Sequence, residues 1–324
     1  MAKFQEGIAD ATRLAVFDDV VRANQMSGGE IFYVVEDSDV NYAQCVARYG
    51  KRRVFSTVAE AYGNVVSNRN DIIFISGYAS HSTAMLSVSK SRVHFIGMNS
   101  FGRINSQCSK ISTPATDVAA SVAVINNSGT RNSFIGLKII QQGTNVAQTS
   151  GLIDTGEGTY VKDCEMEVNS ILSTATQGVL FKGDTCHYKN CQIGNATVYH
   201  TAENQAPLVI QTPARYSYFE DCTIINYTSQ TSASLIDAPD TDSLIGFIMF
   251  KNVSLICATL GNGATAGGTI AEAVTNAGTS GYLLFDNRCT CYGCGIFAET
   301  VAYSLNAAAA GATTAGGGEA VAGA

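Results

Sequence analysis

Val161-Lys-Asp-Cys-Glu-Met166 is followed by Tyr188-Lys-Asn-Cys-Gln-Ile193 and then by Phe219-Glu-Asp-Cys-Thr-Ile224. Each hexamer starts on an aromatic residue or Val, passes through Asn or Asp to Cys, and closes on an aliphatic side chain. Looser copies start at Phe95, Phe134, Phe250 and Phe285, so the successive starts lie 39, 27, 27, 31, 31 and 35 residues apart. A drifting period of this size marks stacked supersecondary units, each burying the apolar face of its neighbours. Within a unit the apolar period is two, the alternation of a strand. The chain therefore reads as all-β, a single-stranded parallel β-helix.

Working outward from the hexamers, each unit carries a second strand upstream of its aromatic residue, at 121–125, 152–153, 179–181, 208–210 and 235–236. Loops such as 141–150 and 199–206 vary in length on a constant coil, which accounts for the uneven spacing. Residues 1–70 do not fit the repeat. Leu14, Val16, Phe17, Val20 and Val21 have helical spacing, ended by Ser27-Gly28-Gly29. Residues 31–35 form a short apolar strand, and Thr57-x-x-Glu60 resembles a capping box opening a helix over about 58–66. Residues 71–75 give the first buried strand. The expected organisation is a small N-terminal α/β cap or attachment segment (1–70), a β-helix (71–300) and an Ala/Gly-rich tail (301–324) with too few large apolar groups to build a core.

Composition narrows the function. The formal net charge of −7 argues against a general nucleic-acid binder, which needs a basic surface to neutralise phosphates. Arg48, Lys51, Arg52 and Arg53 form the one basic cluster, read either as a solvated segment or as a contact with an acidic partner. The longest apolar stretch, 244–250, is far shorter than the ~20 residues of a membrane helix, so no membrane partner is expected. The N-terminus lacks the basic-then-apolar layout of a secretory signal, and synthesis in a cytoplasm without export is the expectation.

Cys164, Cys191 and Cys222 share one register position in three consecutive coils. Stacked about 4.8 Å apart they read as an interior thiol column. Such a column makes no tetrahedral cage, and no His falls in register with it. Cys289-Thr-Cys291-Tyr-Gly-Cys294 fits ordinary last-coil residues, a disulfide or a metal site. Asp163, Asn190, Asp221, Asn252 and Asn287 form a second column, read as a structural ladder of turn residues and set against an acidic site. His81, His94, His187 and His200 are never at ligand spacing. Asp154 near Glu157, and the Asp240/Asp242 pair beside Pro239, read as turn formers ahead of acid/base carboxylates. No catalytic residue, cofactor or metal is expected.

The coil pattern resembles the pectate-lyase-like superfamily of right-handed β-helices. Ile31-Phe-Tyr-Val-Val-Glu-Asp-Ser-Asp-Val-Asn-Tyr-Ala-Gln44, Val54-Phe-Ser-Thr-Val-Ala-Glu-Ala61 and Asn70-Asp-Ile-Ile-Phe-Ile-Ser-Gly77 look like the N-terminal part of β-helix proteins encoded by tailed bacteriophages. In that group a Phe-x-Thr-Ile-x-x-Ala-like helix precedes a Gly-Asp-x-Ile-like strand and a Pro-Gly-like turn. Here Asn70-Asp71 fills the Gly-Asp slot and Ser76-Gly77 the turn. The Asn-Thr-Asp, Asp-Asp and Gly-His-Gly motifs of polygalacturonase-type hydrolases are missing, as are the clustered calcium aspartates and Arg-x-Pro-x-x-Arg-like segment of pectate lyases. The resemblance implies a right-handed helix and a phage virion protein, assembled in the host cytoplasm. The departures point to a non-enzymatic role as a capsid-surface decoration or reinforcing subunit, a homo-oligomer (most simply a trimer) contacting the major capsid protein. The alternative is a tail-associated or tailspike protein that binds or depolymerises polysaccharide. Absence of Trp counts against that alternative, and the missing signal counts against a secreted adhesin.

Overall fold

The computed structural model describes residues 29–304 apart from 78–79, 99–108, 115–121, 144–145, 170–175, 201–204, 229, 231–232, 240–245, 259–269, 276–280, 293 and 299–301. The helix expected within 8–26, the tail from 307, and Asp240 and Asp242 lie outside the described residues. From Asp71 onward the chain cycles through three sheets whose strand pairs are all parallel. The first sheet has eleven strands, and the second and third have eight each. One coil runs through Tyr160–Lys162, Glu165–Val168 and Gln177–Phe181 before His187–Lys189 opens the next. Val161 pairs with Tyr188 and Met166 with Ile193, each 27 residues on, and Val179 pairs with Leu208, 29 residues on, so each side chain returns above its predecessor while the loops absorb the difference. The molecule is a right-handed parallel β-helix.

Each hexamer turns the corner between the first and second sheets. Its third residue makes the corner: Asp163, Asn190, Asp221 and Asn252 have φ of 52°, 52°, 54° and 52°. Only Gly, Asn and Asp visit this left-handed region at little cost. The side chains also bond up the column, Asn190 Nδ2 donating to Asp163 Oδ1 and Asn252 Nδ2 to Asp221 Oδ1 at 2.7 Å. Asn287 departs from the column and is exposed in a turn. Phe285 pairs with Phe250 and Thr290 with Ser254, so the last hexamer holds one extra residue. There the Asp286 carboxylate accepts from Asn252 N at 2.9 Å, and Cys289 rather than Arg288 turns inward.

Inside, the hexamers build two dry columns. Phe95 stacks on Phe134 at 5.2 Å, and Tyr188, Phe219, Phe250 and Phe285 follow at centroid spacings of 4.8, 5.2 and 4.6 Å. Beside them Cys164, Cys191, Cys222 and Cys289 are fully buried, free thiols. Each thiol donates to a carbonyl of the preceding coil, as Cys164 does to Phe134 O at 3.3 Å. Burial pushes Cys164 and Cys289 up to about 12, so neither ionises near neutrality. Cys291 is also free and takes the aliphatic position of its coil; the side chain of Cys294 is outside the described residues.

The N-terminal residues continue the same sheet. Strand Ile31–Val34 pairs with Asp71–Ile75 on one side and Val54–Phe55 on the other. Helix α1 (Tyr42–Tyr49) buries none of its residues, whereas α2 (Val58–Asn64) buries Val58 and Ala61. Helix α2 opens on a capping box, Glu60 N donating to Thr57 Oγ1 and Thr57 N to Glu60 Oε2, both at 3.2 Å.

Candidate functional site

Met166 points into the core, so its strand neighbours Glu165 and Glu167 share the outer side of the second sheet. Parallel register sets Lys138 of the preceding coil and Gln192 of the next on either side of Glu165. The same outer column continues to Lys110 in one direction and to Thr223, Ser254 and Thr290 in the other. A polar track thus runs along the axis, cationic toward one end and lined by amide and hydroxyl groups toward the other.

At its centre the Lys138 ammonium lies 3.0 Å from Glu165 Oε2 and 3.1 Å from Glu167 Oε1. Gln192 Nε2 donates to the other Glu165 oxygen at 3.1 Å. Glu165 and Glu167 are only 8% and 6% exposed, which decides how they titrate. Burial, then a hydrogen bond to Glu167 and the charge of that group, push Glu165 up to about 8 against the pull of Lys138. Burial opposes the charge on Lys138, but the two carboxylates outweigh it and raise its pKa. At neutral pH Lys138 is therefore an ammonium and Glu165 a carboxylic acid, with the Glu167 side chain on the same ammonium. A carboxyl that its environment keeps protonated is a candidate proton donor.

The residues singled out from the sequence are elsewhere. Asp154 does not face a groove; it is fully buried inside the coil. Its carboxylate accepts from Tyr188 Oη at 2.7 Å, Asn127 Nδ2 at 2.8 Å, Thr159 Oγ1 at 3.0 Å and Gly156 N at 3.1 Å. Burial holds it above the usual carboxylate range in spite of these donors. Glu157 is exposed at the following turn. His81, His94 and His200 are buried separately, while half-exposed His187 meets Glu220 Oε2 at 2.9 Å. Among the described residues, no three His, Cys, Asp or Glu side chains are grouped to hold a metal ion.

The cluster that sequence reading passed over left a signal. Glu165-Met-Glu167 alternates within a strand, and Lys138, Glu165 and Gln192 are separated by the coil period of 27. A search for carboxylates in loops or stacked over consecutive coils does not find a pair set along one strand.

No family model and no curated protein matches the chain. Solved structures do. Pectin methylesterase from Aspergillus niger superposes with a TM-score of 0.54 at 13% identity, over 87% of this chain and 82% of that one. Pectate lyase Pel9A gives 0.56 at 12% identity, over 87% and 76%. These neighbours correct the expectation of a non-enzymatic capsid-surface protein, since the structures sharing the architecture are enzymes. The outer face of the second sheet also carries Glu165 and Glu167 on one lysine, a pairing along a single strand that the sequence reading did not weigh. The chain has the pectate-lyase-like right-handed parallel β-helix fold.

Proposed function

We propose that the protein binds and depolymerises an acidic polysaccharide, with Glu165, Glu167 and Lys138 as its acid/base centre. The observation that carries this reading is the pair of carboxylates clasped by one ammonium on an outer face of the solenoid. A glycoside hydrolase needs its two carboxyls about 5 Å or more apart to flank the scissile bond. Here both contact the same Lys138 nitrogen, which suits elimination better. The Glu167 carboxylate takes the proton α to a uronate carboxyl, and Lys138 offsets the charge that develops there. The carbon–oxygen bond to the leaving sugar breaks, a carbon–carbon double bond forms, and Glu165 gives its proton to the departing oxygen. A proton shift across the Glu165–Glu167 hydrogen bond restores the starting state. Water is not consumed.

The N-terminal resemblance supports placing this activity in a tail-associated or tailspike protein of a phage virion, working as a homotrimer; sedimentation of the purified chain tests the trimer. The activity itself is tested by incubating the full chain with uronate-containing polysaccharides and following chain length and unsaturated ends. Glu165→Gln or Glu167→Gln is expected to lower the rate roughly 100-fold or more while each variant still unfolds in one cooperative thermal transition. Undiminished cleavage by both variants would reject this centre.

A further inference from the structure

The first sheet presents a different outer face. Tyr160, His187 and Tyr218 occupy one outward column in three successive coils. Their ring centroids are 5.7 and 6.2 Å apart, and Phe247 joins Tyr218 at 6.0 Å. Two residues along each strand runs a second column, Lys162, Lys189, Glu220 and Lys251. Lys189 Nζ donates to Glu220 at 3.3 Å, and the Lys251 ammonium lies 4.8 Å from the Tyr218 ring centre. The nearby Asp163 and Asp221 carboxylates are taken up at the corner by the Asn190 and Asn252 amides. In a chain of net charge −7, a three-lysine column beside an aromatic column is a local exception.

We infer that this face is a second glycan-binding track, separate from the acid/base centre, on which an acidic polysaccharide lies along the solenoid axis with sugar rings on the aromatic column and carboxylates toward the lysines. The inference rests on the polysaccharide reading above for its ligand class. Rings repeating once per coil, 5.7 and 6.2 Å apart, present a ladder along the axis suited to an extended polymer of rings. Aromatic faces supply rigid, amphipathic contact area, and ammonium groups beside them supply charge complementarity. A second copy of the same face would set lysine column against lysine column.

The test separates this track from the catalytic centre by working in the full-length Glu165→Gln background. Binding to polygalacturonate is measured by affinity electrophoresis and calorimetry, with dextran as the neutral contrast and an oligodeoxythymidine as the nucleic-acid contrast. Tyr218→Ala is expected to weaken polygalacturonate binding roughly tenfold. Lys251→Gln, which leaves the ring in place, is expected to weaken it less and to flatten its salt dependence. Unchanged affinity in both variants overturns the inference, whatever Glu165→Gln does to cleavage. Equal binding of dextran or of the oligonucleotide overturns the ligand class. Loss of self-association in place of glycan binding reassigns the face to an interface between copies.

Discussion

His94 is completely buried on the first sheet, and burial pulls it down to about 4 although the charge of Asp71 works the other way. The folded chain therefore keeps His94 neutral down to about pH 4, whereas the unfolded chain protonates it near 6.5. Stability is full above the unfolded value and falls as pH drops toward 4, by about 3 kcal/mol from this residue. Glu165 has the opposite sign. Its proton is retained in the fold up to about pH 8 but lost from the unfolded chain near 4.5, so stability falls as pH rises between those values. The two windows overlap and their slopes cancel, so urea unfolding should show a plateau from about pH 4.5 to 6.5 and a fall from there toward pH 8. His94→Gln should turn the plateau into a fall with rising pH and Glu165→Gln into a rise; a plateau that persists in either variant refutes that assignment. The proposed elimination shares the alkaline limit, its rate falling as pH rises through about 8 because the acid has lost its proton.

At the scale of the element, the corner between first and second sheets is the part whose chemistry the sequence displays most openly. A left-handed residue followed by an inward side chain leaves few choices, and Asp163-Cys164, Asn190-Cys191 and Asp221-Cys222 repeat them. Asn190→Ala should cost about 1–2 kcal/mol through its φ of 52°. Asn190→Gly should recover much of that cost, which a denaturation series on the two variants would check. The same logic explains what was hard to read. Asn287 resembles its predecessors in composition, but one inserted residue moves it out of the column and hands the inward slot to Cys289. Asp154 sits among small polar residues that suggest a loop, and only its strand position shows that it closes an interior hydrogen-bond knot with Tyr188. Helix α1 offers no buried face to detect. Glu165 and Glu167 acquire meaning only when register places Lys138 beside them, which is a property of the stack and not of either strand.

For the whole molecule, stability is carried from coil to coil. Phe219 is fully buried between Tyr188 and Phe250 at 4.8 and 5.2 Å, so Phe219→Ala should cost about 3–5 kcal/mol. Since each coil touches chiefly its neighbours, the loss should appear as faster amide exchange in the strands around 188–251, with much less change near Asp71–Ile75. The thiol column gives a second readout. Cys164, Cys191 and Cys222 should resist a thiol dye in the native protein and react in denaturant; rapid native labelling at all three would contradict their burial. The shared register of the hexamers has a further consequence, in heredity. Recombination between two of these register-matched blocks removes or duplicates a coil without breaking a strand or exposing a ring, because Tyr188 can lie on Phe134 much as Val161 does. Descendants can therefore change in length by whole turns at little folding cost. Loss of 161–187 would leave a shorter rod stripped of Glu165 and Glu167, while duplication of 188–218 would leave a longer rod with both. Rod length and the Glu165–Glu167 pair can thus diverge independently in the lineage.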